Sequence, residues 1–352
     1  MQPIHTLDDF FIRSGADVSF YHMGRRVTPC PREALTALET GDAPWPEPWQ
    51  GHARLGIVFR LGDMPEPAIW FLSLPLDEQG YLSPAQRDAF LQRLLETLGR
   101  NANTNKHEVD QNGAKQISDE SAREVEHLMK DNPVAFTPSL PFQAMLNARA
   151  THDLGLPASQ HLELIEAYIS RQQTIDWQAL GLQGVADFVV RMDDNQAQQL
   201  TGVLETLPVE MLHSLCYCLE HTALPTALVN ALRDYGEQAA QQGDVETLCA
   251  CVRAVGSSET TLVGEWYQQL LEDAHACGPD LLAAIAGRGW MHLEDNARLP
   301  LYLNRLAEDD RSDFGAVIRD LALIPRLRLP VIMLLRDAPE GSTIQQRLAS
   351  IT

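Results

Sequence analysis

The stretch Leu207-Pro208-Val209-Glu210-Met211-Leu212-His213-Ser214-Leu215-Cys216-Tyr217-Cys218-Leu219 decides the fold. Its proline stands where a helix can begin, because the missing N–H costs nothing in a first turn. Leu212, Leu215, Cys216 and Leu219 then share one helical face. The device recurs downstream. Leu224-Pro225 opens a run with Leu228, Leu232 and Tyr235 on one face, and Gly243-Asp244 gives a stop and an N-cap before Leu248, Val252 and Val255. Gly278-Pro279 is a stop followed by a proline start, and Ser312 precedes Phe314, Val317, Ile318 and Leu321. Starts at Pro208, Asp244, Pro279 and Ser312 lie roughly 33 to 36 residues apart, the length of two helices and two turns.

A helix with one apolar stripe needs neighbours on both sides of its pair. The expectation is therefore an all-α array of stacked helical pairs over residues 122–352, with HEAT-like, α-solenoid geometry. Spacing and punctuation alone carry it, since no repeated sequence accompanies them; an irregular helical domain is the alternative. The first of these helices is expected to start at Leu156-Pro157.

Upstream, residues 1–100 read as a small α+β domain. Thr6 caps a helix that ends near Gly15, and Val18–Met23 suits a strand broken by Gly24. Arg25-Arg26-Val27 begins a possible partner strand, and Pro31-Arg32-Glu33 opens a helix stopped by Gly41. Pro44-Trp45-Pro46-Glu47-Pro48-Trp49 is a stiff loop whose indoles are expected to lid the small core rather than dock a partner. Ala53–Arg60 and Ala68–Leu74 form an antiparallel hairpin, and Ser83-Pro84 starts an amphipathic helix ending at Gly99. Residues 101–121 are polar and read as a flexible linker or loop, because they bury too little to offset their ordering entropy. A helix carrying Val125, Leu128 and Met129 follows and ends at Asp131-Asn132-Pro133; the turn Phe136–Phe142 then leads into another helix, which ends around Asp153-Leu154-Gly155.

The formal charge of -21 over 352 residues argues against a nucleic-acid surface, which needs clustered Lys and Arg. It equally disfavours an acidic membrane surface. No apolar run approaches the ~18 residues of a membrane span, and the N-terminus lacks a basic and then apolar signal, so the expected location is cytoplasmic. There the six cysteines default to free thiols.

Three stretches carry residue types that could do chemistry. Cys216-Tyr217-Cys218 and Cys249-Ala250-Cys251, flanked by His213 and His221, suggest zinc. Residues two apart on a helix point about 200° apart, however, and the two histidines sit about 12 Å apart along an axis, so core thiols are the better reading. Asp77-Glu78 follows a strand, but adjacent carboxylates in a turn are usually solvated. Gly24-Arg25-Arg26 offers an arginine fork for phosphate or carboxylate, against the plainer reading of an exposed turn with internal ion pairs. The phosphate-loop, dinucleotide, zinc-helix and nucleophile-elbow motifs do not occur. No catalytic, cofactor-binding or metal-ligating residue is therefore assigned, and no cofactor is expected.

Tyr21–Val27, His52–Gly56, Ile69–Gly80, Asp131–Phe136 and Leu180–Asp187 resemble a family of uncharacterised gammaproteobacterial proteins, catalogued as a domain of unknown function spanning nearly the whole chain. The resemblance implies a bacterial, cytosolic protein and transfers no functional residue. The function expected is a non-catalytic protein-interaction scaffold that offers the array surface to another protein or peptide. The alternative is an enzyme or small-ligand protein with its site where the two domains join, with Gly24–Arg26, Asp77 and Glu78 as first candidates.

Overall fold

A computed structural model describes residues 4–60, 66–104, 132–275 and 277–350, with backbone alone for 97–104. The chain divides into two compact units: residues 1–24 with 29–138, and residues 139–352 together with the short segment Arg25–Thr28.

The first unit is α+β. Its elements are α1 (Leu7–Ser14), β1 (Asp17–His22), β2 (Thr28–Cys30), α2 (Arg32–Thr40), β3 (His52–Arg60), β4 (Ala68–Pro75) and α3 (Pro84–Thr104). Thr6 caps α1 by accepting from the Asp9 amide, and Gly15 ends it with a φ of 67°, a left-handed conformation that glycine adopts without steric cost. The sheet order is β2-β1-β3-β4, and β3 pairs antiparallel with both β1 and β4. The expected hairpin is present, with Leu55 opposite Leu72 and Ile57 opposite Trp70.

Strand alternation puts Ala53, Leu55, Ile57 and Phe59 in one core with Trp70, Leu72 and Leu74. Phe10 and Phe11 of α1, Leu35 and Leu38 of α2, and Phe90, Leu91 and Leu94 of α3 complete it. Trp45 belongs to this core and Trp49 is half-buried, so the proline-rich loop closes the unit. Val134 also joins the core, and its carbonyl accepts from the Ser73 amide at 2.6 Å, which lays residues 132–136 along β4. The last helix continues to Thr104, past the expected stop at Gly99. The rest of the expected linker, and the helix expected to follow it, lie outside the described residues.

The second unit is helical from Leu140 onward: the helix expected after the Phe136–Phe142 turn is present, and the next one, expected to open at Leu156-Pro157, begins at Leu162. In order it holds α4 (Leu140–Asp153), α5 (Leu162–Ile169), α6 (Leu182–Arg191), α7 (Asp194–Val203), α8 (Val209–Leu219), α9 (Thr226–Gln241) and α10 (Val245–Val255). Then come α11 (Thr261–Glu272), α12 (Pro279–Arg288), α13 (Arg298–Glu308), α14 (Phe314–Leu323), α15 (Pro325–Arg336) and α16 (Thr343–Ala349). Three helix starts differ from expectation by one residue. Pro208 and Pro225 are the N-caps themselves, and Asp313 rather than Ser312 caps α14, since its carboxylate reaches the Ala316 amide. Asp244 and Gly278-Pro279 act as expected.

Alternate helices pack on one another. One series runs α4, α6, α8, α10, α12, α14, and contacts of α5 with α7, α7 with α9, and α11 with α13 make up parts of a second. No helix among the described residues is long and apolar enough to cross a membrane.

Candidate functional site

The most concentrated polar chemistry lies at the C-terminal ends of α8, α10 and α12. Glu220 directly follows α8 and its side chain is 1% exposed. One carboxylate oxygen accepts from Arg253 Nε at 2.8 Å and the other from Arg288 Nε at 2.6 Å. Arg253 is in the last turn of α10, and Arg288 is the last residue of α12. Cations at these ends are favoured by the helix dipoles, while a carboxylate at such an end is not; the two guanidinium groups offset that cost. Burial lifts the Glu220 carboxyl, but Arg288, His221 and Arg253 outweigh it and hold it below the ordinary carboxylate value.

The helix ends must come close for this. A methyl group on Gly256, just past α10, would sit 2.6 Å from the Arg288 carbonyl oxygen. Ser257 adds a hydrogen bond from its hydroxyl to the Glu220 carbonyl at 2.5 Å.

Beside Glu220, His221 is fully buried. Its Nδ1 accepts from the Val27 amide at 3.0 Å, which places the ring proton on Nε2, 3.8 Å from Glu220 Oε1. The ring meets Phe142 edge-on, with centroids 4.8 Å apart, and the Arg288 guanidinium lies 5.3 Å from the Phe142 centroid. Burial is the main reason the imidazolium is disfavoured. Glu220 opposes that, Arg288, Arg253 and Arg149 reinforce it, and the pKa falls to about 3.

Val27 belongs to the short segment that the helical unit incorporates. Arg25 of that segment is 0% exposed. Its Nη1 donates to the Ala286 carbonyl at 3.0 Å, and its Nη2 donates to the Asp320 carboxylate at 2.6 Å. Trp290 receives both neighbouring guanidinium groups, Arg25 at 5.3 Å and Arg26 at 5.0 Å from its ring centroid. The site is thus a clamp on Arg25-Arg26-Val27: a carboxylate and carbonyl for the first side chain, an indole within reach of both cations, and an imidazole for the third amide.

The expectation of an exposed turn at Gly24–Arg26 is corrected. Arg25 is fully buried, and Gly24 itself is close-packed, since a methyl there would lie 2.9 Å from Trp49 Cβ. Asp77 and Glu78 are exposed in the α+β unit. Asp77 builds its own turn by accepting from the Gln79 and Tyr81 amides at 2.8 and 2.9 Å.

The thiols are buried, and burial heads the causes that push Cys30 up to about 12 and Cys249 and Cys277 up to about 11. Cys216 is also pushed well up, first by its hydrogen bond with Cys251 and then by burial. Such thiols are poor nucleophiles and poor ligands. His213 and His221 do not meet: His213 Nε2 pairs with Thr247 Oγ1 at 2.8 Å on α10. No group of three or more His, Cys, Asp or Glu among the described residues is placed to hold a metal ion.

Glu220, Arg253, Arg288, Asp320 and Trp290 were missed from sequence. A signal was there. Asp187, Glu220, Arg253, Arg288 and Asp320 recur at roughly 32 to 35 residues, the pitch of the helix starts, and each stands on or just past a helix of one packed series.

Fold and site define a mixed-class protein: a small α+β unit and a larger helical unit whose buried ions fasten a segment of its own chain. The chain belongs to the family described as protein of unknown function (DUF3549), whose model matches residues 2–352. No curated protein and no solved structure matches it.

Proposed function

We propose that this chain is a non-catalytic interaction protein that offers the helical unit's outer surface to another protein or peptide. The alternating packing of the helices supports reading them as stacked, HEAT-like pairs, an architecture suited to long binding surfaces. The observation that carries the proposal is a division of labour. The unit's most buried charges fasten its own chain, while large apolar side chains stand uncovered on its helices: Leu164, Val245, Leu329, Ile332 and Met333 are each 40% or more exposed. An acid–base role fits His221 poorly, because a pKa of about 3 leaves it a weak base at neutral pH.

Site-specific photo-crosslinking in producing cells tests the reading. A cross-linkable residue at Leu164, Val245 or Leu329 should trap a discrete second protein, and the same residue at exposed Glu78 of the α+β unit should not. A purified chain that yields no cross-link at any of the three, yet melts several degrees higher with a small metabolite, would overturn it in favour of ligand binding.

A further inference from the structure

We infer that the outer face of α15 is a docking site for an acidic amphipathic helix of a partner protein. This rests on the interaction reading above and narrows it to one helix and one partner chemistry.

The helix buries Leu327 and Val331 and turns the opposite side outward. Leu329 is 64% exposed, and Ile332 and Met333 are each 44% exposed. At 3.6 residues per turn these three fall on one face with Arg326 and Arg336, whose side chains are 82% and 69% exposed. The terminal helices of a stacked array ordinarily present a polar outer face to water. Here three large apolar side chains lie in a row with a cation at each end.

Charge selects the occupant. The chain carries -21 overall, yet α15 contains three arginines and no acidic residue. Arg326 pairs with Glu294 at 3.3 Å, and Arg336 with Asp337 at 2.8 Å. Both are surface pairs of small worth that an incoming carboxylate can replace. The two arginines are ten residues apart, about 15 Å along the axis, so a matching helix has carboxylates at that separation flanking its own apolar stripe. Antiparallel pairing of two copies of α15 would instead bring Arg326 of each against Arg336 of the other, and the like charges would repel.

Two synthetic peptides serve as probes. Both carry leucines at i, i+3, i+4 and i+7, one flanked by glutamates and its twin by lysines. The expected result with the full chain, read by fluorescence anisotropy, is acidic-peptide binding about 10-fold or more tighter than the twin's, weakening as salt rises. Leu329→Ser with Met333→Ser should weaken it about 10-fold or more, and Arg326→Glu with Arg336→Glu should reverse the preference. All four residues are largely exposed, and circular dichroism of each variant verifies the fold. Equal binding of both peptides, or binding that the substitutions leave unchanged, overturns the inference. So does self-association by light scattering that Leu329→Ser abolishes. If the inference fails while Leu164 or Val245 still traps a partner, the broader interaction reading stands; if those positions trap nothing, both fall.

Discussion

The α+β unit and the helical unit solve the same problem with different chemistry. In the first, an aromatic cluster fills the space between sheet and helices: Trp70 lies 4.6 Å from Phe59, 5.7 Å from Phe90 and 5.9 Å from Phe11 between ring centroids. In the second, apolar stripes pack the helices, but helix ends meet at buried ions. Apolar burial is non-directional and tolerant of salt and pH. A buried carboxylate between two guanidinium groups is directional, and its cost is offset only while every partner stays in place. The α+β unit holds a buried pair of this kind too, Glu39 with Arg87 at 3.1 Å. The helical unit, however, gathers Glu220, Arg253, Arg288, Arg25 and Asp320, so it should be the more sensitive of the two to a charge change and, through His221, to mild acid.

The comparison breaks most readily at Glu220. Replacing it by glutamine removes the carboxylate charge that faces Arg288, whose side chain is 11% exposed. The expected loss is about 3–5 kcal/mol, the cost of stranding one member of a buried ion pair. Trp70→Ala should cost a similar ~3–5 kcal/mol through the cavity it leaves. Urea midpoints at low and high salt separate the two mechanisms. The Trp70→Ala loss should be the same at both, while the Glu220→Gln loss should depend on salt as the exposed part of Arg253 is screened. Equal salt responses would mean that the units do not differ as described.

Mild acid sharpens the contrast. The His221 pKa is depressed in the folded state, so the unfolded chain binds the extra proton first. The stability from neutral His221 is whole above about pH 6.5, its unfolded value, and falls as pH drops towards about 3. Between about pH 6.5 and 5 the loss is roughly 2 kcal/mol, at about 1.4 kcal/mol per pH unit. Burial, then Arg298, also depress His292, to about 4, so it adds to the same window. Glu220, held below its ordinary 4.5, contributes only once the pH falls below that value. His221→Gln keeps an acceptor for the Val27 amide and should remove one histidine's share of the slope above about pH 5, leaving that of His292. An unchanged slope would show that His221 is not neutral and buried in the folded chain.

Much of this architecture was readable in the sequence. Alternation in Ala53–Arg60 and Ala68–Leu74 fixed the hairpin, because a one-residue slip would turn Trp70 and Leu72 out of the core. Thr6, Asp244 and Gly278-Pro279 marked helix starts because capping is local chemistry. The clamp was not readable, and the reason is range. Periodicity tells which face is buried but not which buried charge meets which. Glu220 and Arg253 are 33 residues apart, and Arg25 and Asp320 are 295 apart. Arg25-Arg26 looked like a surface turn because two adjacent arginines rarely sit inside a protein. The charges at the helix pitch were visible all along, but a pattern sought in apolar residues passes over them.

The smallest effect expected compares two N-caps, one in each unit. Thr6 caps α1 through one bond, from the Asp9 amide at 2.9 Å. Asp244 caps α10 through the Thr247 amide at 3.0 Å, and its second oxygen accepts from the Thr247 hydroxyl at 2.7 Å. That hydroxyl lies 2.8 Å from His213 Nε2 on α8, so this cap also ties two helices together. Its hydrogen bonds from Thr247 hold the Asp244 carboxyl below the ordinary aspartate value. Thr6→Ala should cost about 1 kcal/mol, as a plain cap does, and Asp244→Ala about 2 kcal/mol, because it also leaves the Thr247 hydroxyl short of an acceptor. Urea midpoints measure both. If the difference holds at neutral pH and disappears in His213→Ala, the excess belongs to the link between helices. If the two caps cost the same, the link through Thr247 and His213 adds nothing measurable to the contact between α8 and α10.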